Sequence, residues 1–373
     1  MAASFDKETS STMKRRRTLS SRSMAVGVAL ALPVLLALSS CMPKGPSGAG
    51  SVQLTVYGFS IMKESLEKSI FPGFAAKWKQ EHGQEVKFVS SFAGSETVTN
   101  QILQGTPADI AILSIDRDAQ RLKQGGAVTS DWHSLPHQGI INKTPFIILV
   151  RKGNPKGIHD FADLAKPGVK LIHPDPISSG GAQWSILAIY GSEIIKAQQQ
   201  PSSSAMESNP GMKIENVGQQ RAEALLKSVW HNVISTPGSA REARTQFETG
   251  FGDALITYEL EGLLMKQANA AVEVVVPDAT IYSEHPAVVV DRNVTAAERP
   301  IVDAFMQYLW EDAAQQAFVQ YHFHSITHDS FNSANKEFAH INHPFTVADL
   351  GGWDRAYPDI IEKVFREQVQ KGK

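Results

Sequence analysis

Residues 169–190, VKLIHPDPISSGGAQWSILAIY, restrict what this chain can fold into more than any other stretch. Val169 to Ile172 is an apolar, strand-like run. Pro174 and Pro176 end it, Ser178 to Ala182 form a small-residue turn, and helical spacing begins at Gln183. The order strand, turn, helix is the building unit of an α/β sheet layer. The first N–H groups of such a helix lack intrahelical partners and lie at the positive end of its dipole. Glycines let a ligand approach the backbone, and serine hydroxyls add donors. The turn is therefore suited to an anion.

The same alternation runs along the chain. Strands are expected at Ser51–Gly58, Gln84–Ser91, Ala108–Leu113, Thr144–Val150, Asn232–Ser235, Ala254–Tyr258, Val272–Val276 and Ala287–Val290. Helices are expected at Glu64–His82, Glu96–Gln104, Phe161–Leu164, Gln183–Ile195, Ala222–Trp230, Ser239–Thr249 and Leu260–Ala268, and one long helix within Ala297–Tyr321. This pattern predicts α/β lobes with mostly parallel sheets. Residues 197–211, AQQQPSSSAMESNPG, read as a mobile surface insertion.

The N-terminus has a targeting pattern. Lys14, Arg15, Arg16, Arg17 and Arg22 precede the apolar run Met24 to Leu38, which is short for a membrane span. Leu38-Ser39-Ser40-Cys41 then resembles a bacterial lipobox, so residues 1–40 read as a lipoprotein signal and Cys41 as the lipidated residue. Cys41 is the single cysteine, which excludes an internal disulfide. Removing residues 1–40 takes six of the 36 Lys/Arg and two of the 38 Asp/Glu, leaving 30 against 36. A net −6 argues against a nucleic-acid partner. Residues 41–50 read as a flexible tether, and roughly 320 residues remain, natural for two lobes.

Three turns share one character: Gly94-Ser95, Ser178 to Ala182, and Gly238-Ser239-Ala240-Arg241. Each follows a strand and opens a helix. Ordered motifs accompany them. Trp78-Lys-Gln-Glu-His-Gly83 compares with WKQETG, and Val150 to Val169 with VRKGNPK-IHD-DL-KPGV. Asp175 to Gln183 compares with NPKSSGGAR, and Gly250 to Leu264 with GIGDVLIAWENEALL. Phe345-Thr346 and Gly351-Gly352-Trp353 compare with FTIDEVFGGW. On these motifs the chain, from about residue 51 onward, resembles the bacterial sulfate/thiosulfate-binding proteins of ABC importers.

The resemblance implies a two-lobed periplasmic-binding-protein fold of type II, each lobe a doubly wound, mostly parallel sheet. Lobe one would take 51–142 with a return near 258–300, lobe two 143–257, and 301–373 would be a helical segment packed on both. It implies a dehydrated oxyanion held by neutral donors: Ser60, the Ser95 and Ser179 hydroxyls, the Gly180, Gly181 and Ala240 N–H groups, and Tyr258, with Arg241 nearby. Sulfate or thiosulfate is the implied ligand, a membrane permease complex the implied partner, and a lipid-anchored monomer outside the cytoplasm the implied state. No cofactor, metal or catalytic residue is implied.

Three positions depart from the family pattern. Ser60 stands where Asp is usual, Tyr258 where a Trp donates, and Glu96 where Gly follows the serine. Glu96 is expected to be a solvated first-turn residue favoured by the helix dipole. Phosphate or molybdate are alternative anions. An extracellular hydrolase or a sensory lipoprotein are alternatives of another class. His324 and His328 have metal-compatible spacing, but the His-rich stretch 322–343 reads as a surface loop. Asp253 reads as a structural hydrogen-bonding residue rather than a hydrolytic carboxylate.

Overall fold

A computed structural model describes residues 50–199 and 214–371. The signal segment at 1–40, Cys41, nearly all of the tether and most of the 197–211 insertion lie outside the described residues. Among the described residues, no helix is long and apolar enough to cross a membrane.

One sheet organises the described chain. Its strands are β1 (Val52–Phe59), β2 (Val86–Ala93), β3 (Ile110–Ile112), β4 (Ile140–Arg151), β5 (Leu171–Ile172), β6 (Val233–Ser235), β7 (Ala254–Tyr258), β8 (Val272–Val275), β9 (Ala279–Val289) and β10 (His343–Phe345). The spatial order is β2-β1-β3-β9-β4-β7-β5-β6, with β8 paired to β4 and β10 to β9. Two parallel halves, β2-β1-β3 and β7-β5-β6, flank the antiparallel pair β9 and β4. Parallel neighbours need crossover helices, which cover both faces and explain the nearly continuous apolar strands.

β4 and β9 join the halves. β4 pairs with β9 through Ile140–Pro145 and with β7 through Phe146–Val150. β9 pairs with β4 through Tyr282–Pro286 and with β3 through Ala287–Val289. Phe146 to Val150 are each no more than 1 % exposed, and each such side chain stabilises the fold by about 1.5–3 kcal/mol through burial. Two polar side chains of this crossing bond back to its carbonyls, Thr280 to that of Phe146 and Ser283 to that of Thr144, both at 2.8 Å, while Thr144 Oγ1 and His285 Nε2 are buried without a partner among the described residues. The return to the first half is carried by β9. The helix Glu259–Gln267 and β8 still pack with the second half, because β8 pairs with Ile148–Arg151.

The helix flanking the turn read above starts earlier than its apolar spacing suggested, at Gly180, and runs to Gln199. The single long helix expected within 297–321 is two, Arg299–Tyr308 and Asp312–Gln320. Tertiary bonds cause the break. The Trp310 indole donates to the Ile140 carbonyl at 2.7 Å, and Gln315 donates to the carbonyls of Ile141 and Leu309. Phe305 packs edge-on against Phe74 of the first half, at 5.1 Å between centroids. Phe365, in the C-terminal segment Ala356–Gln370, packs against Trp230 of the second half at 4.7 Å.

The His-rich stretch is a surface loop only in part, since its first residues are buried while His340 is exposed. His322 and His324 are buried, and His324 exchanges backbone bonds with Lys143 while its Nε2 meets Glu259 at 2.7 Å. His328 is exposed and pairs with Asp312. With each imidazole committed this way, the two do not converge, and no cluster of metal-ligating side chains occurs among the described residues.

Candidate ligand-binding cleft

The three small-residue turns sit at the C-terminal ends of β2, β5 and β6, where α/β sheets place their ligands. Gly94 and the helix Ser95–Leu103 come from the first half; Ser178 to Gly181 and Gly238 to Ala240 come from the second. The glycines measure how close they come. A Cβ on Gly94 would lie 2.2 Å from the Ser178 carbonyl oxygen and 2.7 Å from that of Gly238. A Cβ on Gly180 would meet Ser114 Oγ at 2.9 Å and Ser95 Cβ at 3.2 Å, and one on Gly181 would meet Tyr258 Oη at 2.8 Å. At Gly94 and Gly180 only glycine permits this approach of the halves.

Each turn is fixed locally. Ser178 and Ser179 donate their N–H groups to the Asp175 carbonyl, at 3.2 and 2.9 Å. Ser178 Oγ ties the second turn to the third through the Gly238 carbonyl at 2.8 Å. Ser239 caps the helix Ala240–Glu248 by accepting from Glu242 N–H. The Gly180, Gly181 and Ala240 N–H groups then open their helices without intrahelical partners. Ser179 is a buried residue whose hydroxyl has no hydrogen-bond partner among the described residues. Ser60 follows β1 in a short turn packed against the helix Ala240–Glu248. Tyr258 is buried, contacts Phe146 at 4.5 Å between centroids, and shares a 2.8 Å hydroxyl bond with Ser114. Burial raises its phenol pKa well above the usual value.

Arg241 lies beside this group, with every guanidinium nitrogen committed to a carboxylate. Its Nη2 reaches Glu64 at 2.8 Å, Nη1 bonds the other Glu64 oxygen, and Nε bonds Glu261 at 2.9 Å. Glu64 belongs to the first half and Glu261 to the second, so Arg241 spans the cleft. Arg244 holds the far oxygen of Glu261 at 2.8 Å.

Glu96 overturns the solvated-face expectation. It is 5 % exposed, accepts from Gln183 Nε2 at 2.9 Å and Arg117 at 3.2 Å, and pairs with Arg121. Its acceptor positions are taken by partners from both halves. Arg117 in turn stacks on the Tyr357 ring at 3.5 Å. Those two arginines project from the helix Asp116–Gln124, which the sequence reading did not mark.

The same helix supplies a residue that the reading missed. Asp118 is fully buried, and Ser95 Oγ donates to its Oδ2 at 2.5 Å. Ser114, also missed, donates its N–H to Ser95 Oγ at 2.9 Å and accepts from the Trp184 indole at 2.7 Å. Burial pushes the Asp118 carboxyl up to about 8; Glu96 adds to the rise, while the Ser95 bond and Arg121 oppose it. Only Ala119 and Leu122 mark the buried face of this polar helix, which is why its spacing gave no signal.

This arrangement offers converging neutral donors, with the adjacent cations already neutralised. It favours a small anion stripped of water. Comparisons with known proteins agree in kind. The family model of bacterial extracellular solute-binding proteins matches residues 61–324. A sulfate-binding protein of Synechococcus elongatus is 30% identical over 91% of this chain and 93% of its own length. A thiosulfate-binding protein of Escherichia coli is 32% identical over 85% of this chain and 90% of its own. The solved sulfate-binding protein SubI from Mycobacterium tuberculosis H37Rv superposes with a TM-score of 0.71 at 28% identity, covering 82% of this chain and 98% of that one.

Proposed function

The chain belongs to the bacterial extracellular solute-binding proteins, and on that premise we propose that it captures sulfate, or thiosulfate, for an ABC importer. One observation carries the reading: the three helix-opening turns lie so close that a Cβ added to Gly94 would stand 2.2 Å from the Ser178 carbonyl oxygen, with hydroxyls of Ser95, Ser179 and Tyr258 beside them. The relatives' names point to the same anions. Ser60, Ser95, Ser179, Gly180, Gly181, Ala240 and Tyr258 form the donor ring. Arg241, saturated by Glu64 and Glu261, holds the halves together and contributes its charge at a distance.

The protein works as a monomer outside the cytoplasm, anchored through Cys41. It closes on the anion by bending at β4 and β9, and presents the closed form to a membrane permease. Binding without turnover is the natural activity of such a ring. The buried serine–histidine pair, Ser185 with His173 at 2.6 Å, is sealed in the second half. A thermal-shift panel of sulfate, thiosulfate, phosphate, molybdate and chloride tests the ligand class. Stabilisation by sulfate and thiosulfate above the others supports the reading; no shift with any oxyanion overturns it. Fatty-acid labelling that is lost in Cys41→Ser tests the anchor, and labelling that persists in Cys41→Ser refutes it.

A further inference from the structure

Ser95 has one hydroxyl proton and two lone pairs. One lone pair accepts the Ser114 N–H at 2.9 Å. On its other side lies Asp118 Oδ2 at 2.5 Å. If Asp118 is ionised, its carboxylate takes the only Ser95 proton, and Ser95 can present just a lone pair to an anion. That contact is repulsive. If Asp118 is protonated, its O–H donates to the second Ser95 lone pair, and the Ser95 proton is free for the ligand. Ser95 then accepts twice and donates once, which exhausts its capacity.

We propose that Asp118 takes up a proton when the anion binds, and that this proton turns Ser95 into a ligand donor. The inference rests on the anion-binding reading above and adds regulation to the same site. The proton comes from solvent and is returned on release; no bond of the ligand is made or broken.

A second feature points the same way. Asp118 Oδ1 is buried without a hydrogen-bond partner among the described residues. A buried carboxylate needs donors on both oxygens, whereas a neutral carboxyl tolerates one bare oxygen far better. The groups facing Asp118 do not supply the missing charge. Arg121 stands 3.6 Å from Oδ1 and is engaged with Glu96 and Asn100. Arg117 serves Glu96 and Tyr357. Glu96 itself repels a charge on Asp118, and Tyr258, reached through Ser114, is a neutral phenol. Burial holds the carboxyl near 8, so the uptake falls in a window free of ordinary carboxylate and imidazole titration. A bound dianion one hydroxyl away raises the carboxyl further, which is the thermodynamic statement of proton uptake on binding.

The test is calorimetry of sulfate binding to the purified full chain at about pH 8.5, in buffers of differing ionisation heat. Sulfate stays a dianion throughout, so any proton exchanged belongs to the protein. The expected result is a binding enthalpy that varies with buffer and corresponds to net uptake. Affinity should weaken by up to about tenfold per pH unit between the carboxyl pKa of the free form and the higher one of the bound form. Asp118→Asn keeps an N–H donor toward Ser95 and should bind sulfate with no uptake and a flat pH profile. Sulfate binding with a buffer-independent enthalpy overturns the proposal and leaves the sulfate reading standing. Uptake that persists in Asp118→Asn assigns the proton elsewhere and also overturns it. Absence of sulfate binding at every pH removes the ligand reading and the proposal together. Should Asp118→Asn fail to fold, the proton count of the unmodified protein decides alone.

Discussion

Gly94→Ala isolates the approach of the two halves. Gly94 has φ −61° and ψ 144°, which alanine adopts without strain. Its new methyl would lie 2.2 Å from the Ser178 carbonyl oxygen and 2.7 Å from that of Gly238. Both oxygens are backbone atoms of the opposite half, so no side chain can swing aside. The nearer contact is roughly 1 Å too short for carbon against oxygen. With the halves apart there is no clash, so the unliganded protein should fold and melt normally. On closure the first-half donors, Ser60 and Ser95, would stand off by about that distance, beyond hydrogen-bond range. Losing two bonds to a charged ligand removes about 3–6 kcal/mol, on the order of 10²–10⁴-fold in affinity. Calorimetric titration with sulfate reads the affinity, and circular dichroism with a thermal melt checks the fold. Sulfate binding within about threefold of the unmodified protein, in a well-folded Gly94→Ala, would refute the reasoning that this contact gates closure.

Ser179→Ala removes a hydroxyl that has no hydrogen-bond partner among the described residues; sulfate affinity should fall about 10- to 100-fold in titration calorimetry, and an unchanged Kd would take Ser179 out of the ring. Glu96→Gln strips the charge that Arg117, Arg121 and Gln183 share. Chemical denaturation should show a loss of about 1–3 kcal/mol, discounted because both arginines are partly exposed, while the sulfate-over-phosphate preference stays, since the Glu96 oxygens are committed. Acid should destabilise the fold through His173 and His285, which burial pushes down to about 4 and about 3. Their folded pKa values lie below the unfolded value of about 6.5, so the unfolded chain gains protons first as pH falls. Stability is full above that value and drops by a few kcal/mol between about pH 6.5 and 4, as denaturation midpoints at stepped pH would show; a midpoint flat across that range contradicts the assignment.

The parts of the site that the sequence exposed are those written in backbone chemistry. Glycine, serine and alanine after an apolar strand mark a helix-opening turn wherever it ends up in space, so Gly94, Ser178 to Ala182 and Ser239-Ala240 were legible. The long-range partners were not. Asp118 and Ser114 reach Ser95 through the helix Asp116–Gln124, whose nine residues show only Ala119 and Leu122 as apolar contacts. Glu96 looked solvated because the arginines that bury it come from that same helix. His324 looked like loop because the residues that bury it, Lys143 and Glu259, are distant in sequence. β4 was legible as a strand from its apolar run, but its role as a bridge depends on pairing with β9, for which its own residues carry no mark.

The central claim is a donor ring tuned to a fully ionised tetrahedral anion. Competition calorimetry of sulfate against phosphate at about pH 7, near neutrality where hydrogen phosphate carries a proton, tests it most directly. Hydrogen phosphate leaves that proton facing donors, at a cost of roughly 1–3 kcal/mol. The account predicts saturable one-to-one sulfate binding, with phosphate weaker by about 5- to 150-fold. Phosphate binding as tightly as sulfate, or more tightly, would contradict it.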